Sequence, residues 1–231
     1  MIQTAQEEHA SLPNISFRVA DCSDLPTSAP DLFTTTTPSS PPFTKIFSNA
    51  ALHWILRAPH ARGVSSVGVD SEKTKTKTIF HHLSTLLQPN GTLVLETGGA
   101  GNVAEVLTAL TAALAHHGAS PSLAAAREVS PWYFASEAWM RARLEEAGLV
   151  VERVESEYRP TLMTDESGGG VEGWVRLFGK AFLERVPEEG GRREEVVRWV
   201  VEALRGSCER EDGSWWLGYV RLRAVARKPA C

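Results

Sequence analysis

Apolar and polar residues alternate over residues 15–20, Ile-Ser-Phe-Arg-Val-Ala, and this period of two predicts a half-buried strand that stops at the carboxylate of Asp21. Apolar runs over residues 45–48 and 92–97 predict two buried strands, and residues 149–158 and 214–226, rich in Val, Tyr, Trp and Leu, predict two more. Between these runs the period becomes helical. Ile79, Leu83, Leu86 and Leu87 share one face of a helix predicted over 71–87. Further helices are predicted over 103–117, 136–147, 171–185 and 192–205, with Gly148 as a C-terminal stop. Residues 2–9 read as the tail of another helix, ended by Ser11-Leu12-Pro13-Asn14. A strand at 92–97, a glycine turn at 98–101 and a helix from 103 follow the order of a parallel α/β unit.

The punctuation between elements is as informative. Residues 27–44 hold four prolines among Thr and Ser, too little apolar surface to order themselves, and are expected to be a flexible loop, as are residues 58–70. Gln88-Pro89-Asn90-Gly91 is a turn by composition. The pattern is that of one domain over residues 1–231, with a helical insertion over 160–212 before the last strand.

Composition narrows the function classes. At 42% apolar residues and a formal charge of -4, the 231-residue chain reads as a globular domain with no nucleic-acid surface. Lys73, Lys75 and Lys77 alternate with Thr as a solvated helix start. Cys22, Cys208 and Cys231 are far apart, without the spacing of a zinc site or a disulfide framework, so a reducing, cytoplasmic setting is expected. No apolar run reaches the roughly 18 residues that span a bilayer, so no membrane partner is expected.

Two segments carry a resemblance. Phe47-Ser48-Asn49-Ala50-Ala51-Leu52-His53-Trp54 and Leu87-Gln88-Pro89-Asn90-Gly91-Thr92-Leu93, in this order and spacing, resemble class I S-adenosylmethionine-dependent methyltransferases of the trans-aconitate methyltransferase type. Gly173-Trp174-Val175, Asp212-Gly213-Ser214-Trp215 and residues 221–227 look like the ending of that subfamily. In that family a strand, a glycine-rich turn, a helix and a second strand precede the helix that residues 1–5 resemble. The resemblance therefore implies an α/β, Rossmann-like methyltransferase sheet lacking its first strand, glycine-rich loop and second strand. Those strands would stand between the strand at Ile15 and the strand at Ile46. Their absence implies either direct pairing of these two or an open sheet edge, through which the chain would self-associate.

The resemblance also implies roles. Asp21 would accept the adenine amino group of S-adenosylmethionine, with the Cys22 amide beside it, although a helix-capping Asp21 reads equally from the residues. Asn49 and Ala50 would pass close to the methionyl end and the reactive methyl. His53 and Trp54 would line the pocket of a small-molecule acceptor, a carboxylic acid such as trans-aconitate, with a packed Trp and a surface His as the alternative. Trp132, Tyr133 and Phe134, after Pro131, belong to a lid over the substrate or to the core. Gly98-Gly99-Ala100-Gly101 follows the wrong strand to replace the cofactor loop and reads as a tight turn beside the substrate pocket. Methyl transfer needs alignment and desolvation more than acid or base, so no catalytic residue and no metal ligand is assigned. The rival expectation is an inactive fragment that persists as a binding or regulatory partner.

Overall fold

The computed structural model describes residues 2–34, 43–59, 78–165 and 169–230. The three lysines, most of the 58–70 loop, the start of the 71–87 helix, and Cys231 lie outside these residues. Four strands make one sheet in the order β1-β2-β4-β3: β1 Phe43–Asn49, β2 Leu87–Gly98, β3 Val150–Met163 and β4 Trp215–Arg227. β1 and β2 are parallel, while β4 inserts antiparallel to both β2 and β3.

Eleven α-helices are present among the described residues: α1 Ile2–Glu8, α2 Leu25–Ser28, α3 Asp31–Thr34, α4 Leu52–Ile55, α5 Ile79–Leu86, α6 Ala104–His116, α7 Leu123–Arg127, α8 Glu137–Glu146, α9 Gly170–Phe178, α10 Lys180–Leu183 and α11 Arg192–Cys208. The α8 helix begins where Ser136 caps the Trp139 N–H, as its sequence position predicts. The predicted 171–185 helix is two helices, because Gly179 ends α9 and opens α10.

Strand alternation gives each face a different fate. Leu93 and Leu95 of β2 and Leu222, Ala224 and Ala226 of β4 pack with Phe80 of α5 and Met140 and Leu144 of α8 into one core. The opposite face carries Phe47, Val94 and Val225 in register across three strands, and Phe47 is 72% exposed. A second core lies among α6, α9, α10 and α11, around Leu110, Trp132, Val175, Phe182 and Val200.

Three expectations are corrected. Residues 15–20 form no strand, and Val19 is 79% exposed. Alternation supplies a face to bury but not a neighbour to pair with, and β1 has β2 as its only strand neighbour among the described residues. The expected 27–44 loop contains α3 and the end of α2, and the first two residues of β1, anchored by buried Leu25 and Ala29 against Leu86. Gln88-Pro89-Asn90-Gly91 lies within β2, at a register shift opposite Phe43–Lys45, with Asn90 at φ 61.

Candidate functional site

The site starts where the parallel pair ends. The Ala50 N–H reaches the Glu96 carbonyl at 2.9 Å, extending the β1–β2 ladder by one residue. That bond holds Ala50 at φ 53, in the left-handed region that costs a residue with a Cβ roughly 1–2 kcal/mol. The chain then turns directly into α4, bringing His53 beneath the end of β2.

His53 is locked there by β2. Its N–H donates to Thr97 Oγ1 at 3.1 Å, and its Nδ1 lies 3.0 Å from the same hydroxyl and accepts the Gly98 N–H at 3.2 Å. An Nδ1 used as acceptor places the proton of the neutral ring on Nε2. Burial, and then the cation of Arg221, hold the imidazole down at a pKa of about 4. At neutral pH His53 is an uncharged donor.

The glycine turn after β2 supplies the next wall. Gly99 N–H donates to Val220 O at 3.0 Å, Val103 N–H to Gly218 O at 2.8 Å, and Val220 N–H to Asn102 Oδ1 at 2.8 Å, while Glu105 accepts the Gly218 N–H. Tied to β4 in this way, Val103 stays at φ 44, an unusual conformation for a β-branched residue. A Cβ on Gly98 would meet the Phe134 ring at 2.7 Å, so close packing requires glycine there.

These elements enclose a cavity of about 200 Å³ lined by two of the left-handed non-glycine residues, Ala50 and Val103, with His53 and Asn102. Its other walls are aromatic: Trp54, Trp132, Phe134, Trp174, Phe178 and Tyr219. Trp132 stacks on Phe134 at 5.9 Å and meets Trp54 edge-on at 5.6 Å, while Trp174 Nε1 donates to the Tyr219 hydroxyl at 2.6 Å. Burial pushes the Tyr219 phenol above its ordinary pKa. Arg221 completes the lining, with its guanidinium 5.0 Å from the Tyr219 ring centroid. A larger hollow of about 380 Å³ lies over the open sheet face, but its charged side chains are joined to one another, Arg223 to Glu96 and Arg153 to Glu155.

The structure gathers only some of the predicted residues. Ala50, His53, Trp54 and Trp132 share the smaller cavity. His53 is 8% exposed and Trp54 42%, the reverse of a packed Trp and a surface His. Tyr133 turns away into the core beside Trp139, at 5.2 Å, and donates its N–H to His53 O. Asn49 borders the larger hollow instead. Asp21 caps the short 3-10 helix Cys22–Asp24, its Oδ1 accepting from the Ser23 N–H at 2.8 Å and hydroxyl at 2.7 Å. Cys22 packs beside Leu83 and Ile46, and burial followed by the Asp21 charge raises its thiol pKa, so it is a poor nucleophile. Phe134 shares the cavity with Trp132, whereas Asn102, Val103, Trp174, Phe178, Tyr219 and Arg221 were not singled out as a site by sequence reasoning. Among the described residues no His, Cys, Asp and Glu cluster could hold a metal ion, and no helix is long and apolar enough to cross a membrane.

No protein-family model matches the chain. It is 36% identical over 187 residues to an uncharacterized methyltransferase of Schizosaccharomyces pombe, a match covering 80% of this chain and 63% of the relative. The match thus spans less than two thirds of the relative's length. The YcgJ protein of Bacillus subtilis superposes with a TM-score of 0.52 at 14% identity, covering 100% of this chain and 79% of that one. A loganic acid methyltransferase solved with SAH gives a TM-score of 0.48 at 13% identity, over 84% of this chain and 63% of that one. The fold is that of the Rossmann-like methyltransferases, and by sequence the chain is similar to a methyltransferase.

Proposed function

We propose that this chain transfers a methyl group from S-adenosylmethionine to a small carboxylic acid seated in the aromatic cavity. The observation that carries the reading is the cavity at the C-terminal end of the parallel β1–β2 pair, where open α/β sheets bind ligands, lined by two non-glycine residues in left-handed conformation. The fission-yeast relative, named a methyltransferase, supports the methyl-transfer part of this reading.

The residues present fit the reactive end of such a cofactor. Aromatic faces suit a sulfonium, and Ala50 brings backbone to the cavity wall. When bound, S-adenosylmethionine supplies an electrophilic methyl: a carboxylate lone pair forms the O–C bond while the S–C electrons stay on sulfur, leaving an ester and a thioether with no proton moved. His53 therefore needs only to donate a hydrogen bond from Nε2, consistent with its neutral form. The aromatic walls exclude water and hold the acceptor in line. Asp21 and Cys22 remain the residues we assign to the adenine end, and Asn49 with Ala50 to the methionyl end. Trans-aconitate, the acid that the sequence resemblance implies, is the comparison acid for the assay.

Isothermal titration with S-adenosylhomocysteine tests the cofactor assignment without knowledge of the acceptor. Binding at micromolar Kd is expected; a folded chain that shows no heat at millimolar ligand rules the reading out.

Among the described residues β1 is an edge strand, which favours a second property, self-association through this edge of the sheet. Light scattering across a concentration series is expected to show dimers that Phe47→Lys disperses. A monomer throughout would dismiss it.

A further inference from the structure

Arg221 differs from its neighbour on β4. Arg223 is held by Glu96 at 2.6 Å and Glu157 at 2.6 Å. Arg221 stands opposite Glu157 in the β3–β4 register, yet that carboxylate goes to Arg223, and Arg221 has no carboxylate partner among the described residues. Its guanidinium lies 5.0 Å from the Tyr219 ring centroid, and it lines the aromatic cavity with His53. A guanidinium placed against aromatic walls has lost part of its water, and an anion held by two parallel N–H···O bonds would restore what was lost.

We infer that Arg221 selects the acceptor, and that the acceptor is a planar, largely apolar monocarboxylate. This inference rests on the methyl-transfer reading and narrows it. The cavity offers one cation, Arg221, beside neutral donors such as His53 Nε2 and the Asn102 amide, whose oxygen is already bonded to the Val220 N–H. A second or third carboxylate would be desolvated against Trp132, Phe134, Trp174 and Phe178 with no opposite charge to meet it. A flat apolar body meets ring faces instead, including the near-parallel pair Trp132 and Phe134, inclined at 16°. The volume, about 200 Å³, lies below the range of about 300–1,000 Å³ usual for drug-sized ligands, which keeps the acceptor small. A carboxylate has about four lone-pair directions, so two held by Arg221 leave others to attack the methyl.

Titration at pH 7 with three probes tests this: trans-cinnamate, its neutral amide cinnamamide, and trans-aconitate. Cinnamate is expected to bind at least about tenfold more tightly than either of the others. Arg221→Gln is expected to bring cinnamate down to the level of the amide, and Arg221→Lys to keep part of the preference, with near-UV circular dichroism checking that each variant is folded. If the Gln variant does not fold, the Lys variant carries the test, with a loss of roughly threefold to tenfold expected. Equal binding of acid and amide, tighter binding of trans-aconitate, no cinnamate binding by the folded chain, or a preference untouched in the variants overturns the inference. S-adenosylhomocysteine is titrated separately, so loss of cofactor binding with the cinnamate preference intact sinks the methyl-transfer reading alone.

Discussion

Acidification from pH 7 to pH 4 is expected to remove about 3 kcal/mol of stability through His53 alone. The folded protein holds this imidazole at a pKa of about 4, against 6.5 for the ordinary group, first by burial and then through Arg221. Between those values the unfolded chain binds a proton that the folded chain refuses. The stability is therefore fully present above pH 6.5, falls as the pH drops through the window, and loses nothing more from this residue below about pH 4. Urea unfolding of the wild type and His53→Gln at pH 7, 5.5 and 4 measures the effect. The depressed carboxyls of Glu157, Glu194 and Asp212, each held by a hydrogen-bonded partner, also lose stability in acid, but equally in both proteins. Parallel decline of the two curves would show that His53 is protonated as easily in the fold as outside it.

Trp132→Ala is expected to cost about 3–5 kcal/mol, the usual range for deleting a buried large aromatic. Trp132 is 8% exposed and joins two structures, since it belongs to the helical core and also walls the cavity. It stacks on Phe134 and touches Trp54, Trp174 and Phe182 at centroid distances of 5.6–6.3 Å, so no neighbour can fill the space without leaving its own partner. Domains are stable by only about 5–15 kcal/mol, so this loss would be visible as a large shift of the urea midpoint. A cost below about 1 kcal/mol would mean that the aromatic walls collapse freely and do not hold an acceptor in line.

The sequence displayed the elements whose signal is local. Apolar runs marked the strands around 45–48, 92–97 and 214–226, and helical periodicity marked α6, α8 and α11. Residues 15–20 misled because alternation reports a face and says nothing of a pairing partner. His53 and Trp54 line one cavity, but neighbours on a single helical turn do not reveal which is buried; that was decided by Thr97 and Gly98, more than forty residues away. Arg221 was least visible of all. Its lack of a carboxylate partner among the described residues depends on Glu157 choosing Arg223, a choice made in three dimensions between two arginines that look alike in the sequence. Trp174 and Phe178 pack on each other with ring centroids 5.0 Å apart, and the cavity they border is formed with residues from β4 and the turn after β2, far from them in the sequence.

The place of β4 in the sheet sets an order of events during synthesis. It lies between β2 and β3, yet it is made after both, more than a hundred residues after β2 ends. Ribosomes add about 5–20 residues each second, so β2 waits on the order of ten seconds for its antiparallel neighbour. Throughout that interval β2 and β3 lie side by side in the chain's history but cannot yet be joined, and their apolar residues are open to capture by chaperones or other nascent chains. The helices α9, α10 and α11 emerge before β4 and touch mainly each other and α6, which lets them gather first and present a surface for Leu217 when the last strand arrives.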